Sequence, residues 1–335
     1  MTSAGRTKPL ISVIVLNYNG ASSIRHCLES IRSQSYAPME VILVDNDSTD
    51  NSVDDAEHLF PEFRIIRNPK NLGFAEGNNV GIRESSGELV LLVNNDIFLE
   101  PDTISSMASN LHDDTGVEGG LIYYSDGEKI WACGGKFDPV TGMHWHLLQG
   151  MSRGHSTPGI LEVDYVPGAL LLVRRSILEQ AGLLDQYFFL YGDDIDLALK
   201  AKRLGYSIAV VTSATASHMV SQSVKSLERK HELLGYYMMN RNMFYLYFVQ
   251  LPIPLALTST TFQLAFLLFE ILIFRRPNSY ARAKMTALAH VLKDLDRAWQ
   301  ARNKANRLGQ LPVSLRLRDL LGTARSRSNS RTYYW

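Results

Sequence analysis

Three apolar runs constrain what this chain can fold into: ISVIVLN (11–17), EVILVD (40–45) and ELVLLVNND (88–96). Each is short, rich in Val, Ile and Leu, and stops abruptly on Asn or Asp. Uninterrupted runs of this length mark strands buried on both faces, as in parallel sheets. Between the first two, Ile24, Cys27, Leu28 and Ile31 recur at helical spacing. Between the second and third, FRIIRNPKNLGFAEGNN reads as a short strand and a Gly/Asn-rich loop, followed by a helix expected around 78–86. Strands alternating with helical segments imply βαβ units. Their polar ends then gather at the carboxyl edge of the sheet, where open α/β sheets bind ligands.

Further along, residues 113–165 are less regular and rich in Gly, His and Trp, as expected of strands and loops covering one side of a site. ILEVDYVPGALLLVRRSILEQAG returns to strand and helix. YFFLYGDDIDLALKAKRLGY is an acidic turn feeding an amphipathic helix capped near Gly205, and SIAVV is a short strand. The α/β pattern ends near Ser221. From 252 to 274 the only charge is Glu270, and a basic, helix-like segment follows from 280 to 306. The expected organisation is a catalytic domain over 1–224, an apolar and basic helical region over 225–306 that associates with membrane, and a basic, mobile tail over 307–335.

Charge supports that division. Residues 1–224 hold 16 basic and 28 acidic side chains (−12), and residues 225–335 hold 18 and 6 (+12). A basic C-terminal region beside an apolar run suits an anionic membrane surface. A single span would send Arg275, Arg276, Arg282 and Lys284 to the far side, against the positive-inside tendency. A hairpin or an interfacial helix keeps both flanks on one side; a helix buried on the catalytic domain is the alternative. Cys27 and Cys133, with no CxxC spacing, suit a reducing cytosol and imply no zinc site. The expected location is therefore the cytoplasmic face of the cell membrane.

Six segments in order, VIVLNYNG, VDNDSTD, NLGFAEGNN, VNND, YGDDIDLALKAKRLGY and SHMVSQS, together resemble the family 2 glycosyltransferases with the GT-A fold. The match runs from about Ile11 to Ser223. The nearest likeness is to bacterial rhamnosyl- and galactofuranosyl-transferases. The resemblance implies an α/β nucleotide-sugar-binding fold with a mixed, mainly parallel sheet. It also implies inverting transfer of a sugar, with rhamnose from dTDP-rhamnose or another UDP- or dTDP-sugar as the donor. A polyprenyl-linked or glycan hydroxyl would be the acceptor, and no nucleic acid is involved.

Site residues follow from the matched motifs. Asp45 would accept from the N3–H of a uracil or thymine, Tyr18 would stack on that base, and Leu16 would offer backbone atoms. Gly73 would let backbone approach the nucleotide, and Asn78 and Asn94 would bond base or ribose. In VNND the first position of the familiar Asp-x-Asp is Asn94, so one carboxylate remains. Asp96 would hold a divalent metal, Mn²⁺ or Mg²⁺, with His218 as second protein ligand and the donor diphosphate and water completing the shell. An imidazole suits Mn²⁺ better than Mg²⁺. Asp194 would be the base that deprotonates the acceptor, and neighbouring Asp193 would raise the proton affinity of the pair. Trp131, Gly168 and Asp193 would line the acceptor pocket. Acids in the first turn of a helix also complement its dipole, which suffices for Asp196. Two other classes remain open. A sugar-nucleotidyltransferase would carry a Gly-rich loop after the first strand, which LNYNGASS lacks. A non-catalytic glycan-binding protein would tolerate Asn94.

Overall fold

The computed structural model describes residues 8–219 and 229–312. The SHMVSQS motif beyond Met219, the proposed domain boundary at 224 and most of the basic tail therefore lie outside the described residues. The apolar runs form β1 (Ile11–Asn17), β2 (Met39–Asp45) and β4 (Leu89–Asn94). They pair in parallel with β1 in the middle, and β3 (Arg64–Arg67) extends the sheet beyond β2. Because Asn17 lies opposite Asp45 and Leu16 opposite Asn94, the polar ends of all three strands reach one edge.

Helix α1 (Ile24–Arg32) buries Ile24, Cys27, Leu28 and Ile31, the four positions the spacing picks out. It is followed by α2 (Ser52–Leu59). Helix α3 (Gly73–Arg83) begins five residues before the expected 78. Its glycines read as loop, but Gly77 and Gly81 are contact points. A Cβ at Gly77 would come within 2.6 Å of the Leu16 side chain, and one at Gly81 within 2.5 Å of Ile14. The helix thus lies directly on β1.

The irregular middle of the chain holds a central strand that its sequence disguises. After β5 (Ile97–Leu99) and α4 (Thr103–Asn110) comes β6 (Thr115–Tyr124), buried along nearly its whole length. Its glycines make room for neighbours: a Cβ at Gly120 would meet the Ala214 carbonyl at 2.6 Å. Short strands β7 (Ile130–Ala132), β8 (Gly135–Phe137), β9 (His144–His146) and β10 (Ile160–Glu162) follow, then β11 (Leu170–Arg174) and α5 (Arg175–Ala181). Helix α6 (Asp193–Arg203) leads to β12 (Ser207–His218). The short strand expected at SIAVV is thus twelve residues long. The path of the main sheet is β10-β12-β6-β11-β4-β1-β2-β3, with β5 on β12 and β7 on β6. It is mixed: β11 runs antiparallel to both β4 and β6.

Four helices complete the described residues: α7 (Arg229–Gln250), α8 (Ile253–Leu272), α9 (Asn278–Lys293) and α10 (Leu295–Arg307). Pro252 separates the first two, so the apolar stretch is divided between them. Helix α7 is bound to α6 by polar contacts. Arg203 donates to the Gln250 carbonyl at 2.6 Å, and Gln250 donates to Asp196 at 2.7 Å. Asp196 also pairs with Lys200 at 2.7 Å, so it joins two helices besides complementing a dipole. One apolar cluster runs from Ile14 to Leu311, so these helices share the core of the sheet.

Candidate active site

At the β1–β2 end, Asp45 is buried and accepts from Asn17 Nδ2 at 3.3 Å and from the Ser48 N–H at 3.2 Å. Asn17 Oδ1 accepts from Asn95 at 2.8 Å, which links the ends of β1 and β4. Tyr18 stands beside this network with half its surface open (50 %), as a stacking platform requires. Asn46 makes four bonds. Its Nδ2 donates to Asn71 and to the Gly73 carbonyl, both at 3.0 Å. Its Oδ1 accepts from Asn68 at 3.1 Å and from the Leu72 N–H at 3.0 Å. That exhausts the amide's capacity and fixes the loop before α3.

Two α3 residues make contacts within the chain. Gly73 has φ +79, and a Cβ there would meet the Phe189 carbonyl at 2.6 Å. The close approach it permits is therefore with Phe189, whose carbonyl accepts from the Phe74 N–H. Asn78 is buried, and its Nδ2 donates to the Phe74 carbonyl at 3.0 Å. One of its two amide N–H groups is thus used within its own helix.

Asp96 and His218 lie 122 positions apart in the chain, yet their Oδ1 and Nε2 are 3.1 Å apart. Pairing between β5 and β12 sets His218 opposite Ile97, and the Met219 N–H donates to the Asp96 carbonyl at 2.9 Å. Neighbouring corners of an octahedron with metal–ligand bonds of about 2.1 Å are also about 3 Å apart. His218 Nδ1 is buried and finds no partner among the described residues. A carboxylate and an imidazole at this spacing fit two sites of a divalent ion, leaving the remaining positions to diphosphate and water. Among the described residues no group of three or more His, Cys, Asp or Glu forms a full protein cage. Trp131 packs edge-on to both His218 (4.4 Å) and His146 (4.7 Å).

The acid pair opens α6. Gly192, at φ +87, turns the chain so that Asp193 and Asp194 start the helix. Asp194 accepts from the Ile195 N–H at 2.8 Å and from the Gly168 N–H. Burial nevertheless pushes its carboxyl up to about 6. Asp193 is almost fully enclosed; burial first, and then the charge of Asp194, raise it well above the usual carboxylate range. Gly168 therefore acts here by holding Asp194, and its neighbour Ala169 accepts from the Asn94 N–H at 3.0 Å. The dipeptide joins the acid pair to the end of β4. Tyr165 approaches from the same side, its ring filling the space left at Gly135 and its buried hydroxyl without a partner among the described residues. Burial lowers His144 and His146 to about 4, so both are neutral near pH 7.

This arrangement coincides with a family match. The model of glycosyl transferase family 2 matches residues 12–181. The chain belongs to that family. It is 30% identical over 237 residues to an N-acetylglucosaminyltransferase of Bradyrhizobium diazoefficiens, an alignment covering 66% of this chain and 47% of that protein. It thus spans less than half the length of some curated relatives it matches. An N-acetylglucosaminyl-diphospho-decaprenol L-rhamnosyltransferase of Mycobacterium tuberculosis is 26% identical over 238 residues, 64% of this chain and 77% of that one. Among solved structures, a mannosyltransferase from Pyrobaculum calidifontis in complex with GDP-Man and Mn²⁺ superposes with a TM-score of 0.52. That match covers 95% of this chain and 88% of the other at 17% identity, a likeness of fold. The glycosyltransferase fold is the GT-A type. The family match ends before Asp193, Asp194 and His218, so their placement rests on the geometry above.

The sequence assigned no role to Asn17, Asn46, Asn95 or His146, whereas Tyr165 stands in the YVPGA stretch expected to line the sugar and acceptor pockets. The three asparagines carried a signal, since each stands in a polar turn at the end of a strand.

Proposed function

We propose that this family 2 glycosyltransferase is a metal-dependent, inverting enzyme. It transfers a sugar from a UDP- or dTDP-linked donor to a hydroxyl of a polyprenyl-linked or cell-surface glycan at the cytosolic face of a membrane. Rhamnose from dTDP-rhamnose is the favoured donor sugar. The observation that carries the reading is the Gly168–Ala169 bridge, which sets Asp194 beside the strand end that leads to Asp96. The base and the candidate metal ligands thereby share one edge of the sheet.

In this reading Asp45 receives the pyrimidine N3–H and Tyr18 covers the base. Asn94 replaces a carboxylate without adding charge. Asp96 and His218 would hold the divalent ion, which supplies positive charge to the leaving nucleoside diphosphate. Asp194 takes the proton of the acceptor hydroxyl as that oxygen attacks the anomeric carbon. A base near pH 6 is deprotonated at neutrality and still binds a proton well enough to assist. Asp193, whose proton affinity burial and then the Asp194 charge raise, can donate to an acceptor oxygen when it holds the proton. Support for the lipid-linked acceptor comes from the name of the mycobacterial relative and from the apolar C-terminal helices.

A panel of nucleotide-sugars assayed for nucleoside diphosphate release tests this. Release is expected from dTDP- or UDP-sugars with Mn²⁺ or Mg²⁺, and it should stop on EDTA treatment and return with added ion. Turnover that survives EDTA would reject the metal. Release from purine-linked sugars alone would reject the roles given to Asp45 and Tyr18.

A further inference from the structure

Helix α8 is patterned inside out. Its buried stripe, Ala256, Ser259, Gln263, Leu267 and Glu270, carries its one charge and its one amide, while Thr258 and Thr261 are the polar residues of the exposed side. Ser259 donates to the Pro139 carbonyl at 2.6 Å and Gln263 to the Thr141 carbonyl at 3.0 Å, both in the loop between β8 and β9. Farther along, Glu270 accepts from Tyr236 at 2.9 Å and from Lys284 at 3.1 Å. The opposite side exposes Ile253, Leu257, Phe262, Leu268, Phe269 and Leu272, with Leu257 63 %, Leu268 61 % and Leu272 73 % open. Among the described residues this is the one helix long and apolar enough to cross a membrane. A helix that crossed would carry the β8–β9 loop and the Glu270–Lys284 pair into hydrocarbon with it.

Charge indicates what covers this face. From Ile253 to Lys293 there are five basic residues and one acid, and that acid, Glu270, is already paired with Lys284. Arg275 and Arg282 are exposed just beyond the apolar face. A second copy of the chain would bring this positive flank against its equal, whereas anionic headgroups would neutralise it.

The C-terminal end of α8 also adjoins the active-site mouth. Tyr236, which bonds Glu270, follows Gly235, and a Cβ at Gly235 would touch the Tyr191 hydroxyl at 3.9 Å. Asn242, on α7 like Gly235 and Tyr236, donates to the carbonyls of Leu190 and Tyr191 at 2.7 and 2.8 Å. Phe189, Leu190 and Tyr191 are all partly exposed, two residues before the acid pair. We infer that α8 lies flat in the headgroup region of an anionic bilayer, with its outward apolar face immersed and the 189–191 rim at its C-terminal end. A lipid-linked acceptor then reaches Asp194 by sliding within the membrane. That last step rests on the proposed function; the docking does not.

The test uses the full chain and vesicles of phosphatidylglycerol with phosphatidylcholine, compared with phosphatidylcholine alone. Co-sedimentation should favour the anionic vesicles, and Leu268→Glu with Leu272→Glu should lower the bound fraction at least tenfold while leaving donor hydrolysis unchanged. Depth is read from fluorophores on Leu257→Cys and Leu272→Cys, since Cys27 and Cys133 are buried. These sites are about 22 Å apart along the helix axis at ~1.5 Å per residue. Equal, shallow quenching by spin-labelled lipids is expected. Unequal depths would mean a span, and would overturn the proposal. So would absent vesicle binding with concentration-dependent dimerisation abolished by the Glu variants, which would assign the face to a second copy. Were the enzyme reading wrong instead, vesicle binding would persist while no nucleotide-sugar was turned over.

Discussion

On the β1–β2 side of the sheet edge nearly every polar side chain is answered by another; on the Asp194 side the acid meets only backbone N–H groups and a buried hydroxyl is left over. Asn46 has four partners, and Asn17 connects Asp45 to Asn95. Across the Gly168–Ala169 bridge, Asp193 and Asp194 are pushed up by burial, and the Tyr165 hydroxyl has no partner among the described residues. The difference matches the two tasks proposed for the two sides. A pocket for a rigid base gains from donors and acceptors fixed in advance. A proton acceptor must instead hold its charge at some cost, because that cost is what gives it affinity for the proton.

The largest effect is expected from the acid-pair side. Asp194→Asn keeps the shape but cannot take a proton, so kcat should fall about 10²–10⁴-fold, while nucleotide affinity stays close to that of the parent. In the parent, kcat/KM should fall as pH drops through about 6, when Asp194 becomes protonated. The stability sign is opposite. A carboxyl raised in the folded state contributes stability below its unfolded value, and that contribution is lost as pH rises through about 6. Asp194→Asn should therefore melt at a higher temperature than the parent near pH 8. Full turnover by the variant, or a flat pH profile between 5 and 8, would remove Asp194 from the role of base.

A smaller and different effect is expected from the satisfied side. Asn46→Ala leaves the Leu72 N–H, the Asn68 amide and the Gly73 carbonyl without the partners they have now. Each buried polar group left unpaired costs about 1–3 kcal/mol. Thermal denaturation should show the loss. Steady-state kinetics should show donor KM raised several-fold with the same pH midpoint. A shifted midpoint would mean that the two halves are not separable.

What could be read in advance divides along similar lines. Strands β1, β2 and β4 and the buried face of α1 were legible because apolar runs and 3.6-residue spacing report burial directly. Strand β6 was not, since Gly116, Gly119 and Gly120 give no hydrophobic signal; their role appears only once neighbouring strands are in place. Helix α3 was begun too late for the same reason. The carboxylates stood out by motif. Asn46 did not, because its value lies in four bonds to a loop up to 27 residues away. The polar stripe of α8 was hidden in an apolar average, and only its contacts show which side faces the protein.

The smallest effect on transfer is expected at Glu118, and it tests whether burial alone mimics a functional carboxylate. Glu118 lies on β6 with 1 % exposure, and its Oε2 has no partner among the described residues. Burial pushes it up to about 8, against the pull of Arg174. By proton affinity it resembles the acid pair, but it sits near the start of its strand, in register with Leu172 and Ala209 in the interior of the sheet. Glu118→Gln should leave kcat, KM and the midpoint near pH 6 unchanged. Its mark should be on stability. Between the unfolded value and about 8 the folded protein keeps a proton that the unfolded chain has released, so the parent loses at most about 1.4 kcal/mol per pH unit over that window. The two proteins should melt together near pH 4.5, and the variant should gain steadily to pH 8 and hold its lead above it. Denaturation midpoints across that range decide the matter. Were Glu118→Gln to slow transfer or move its pH midpoint, a raised carboxyl at the sheet edge could no longer be taken as the mark of the base, and the contrast between the two halves would rest on hydrogen bonding alone.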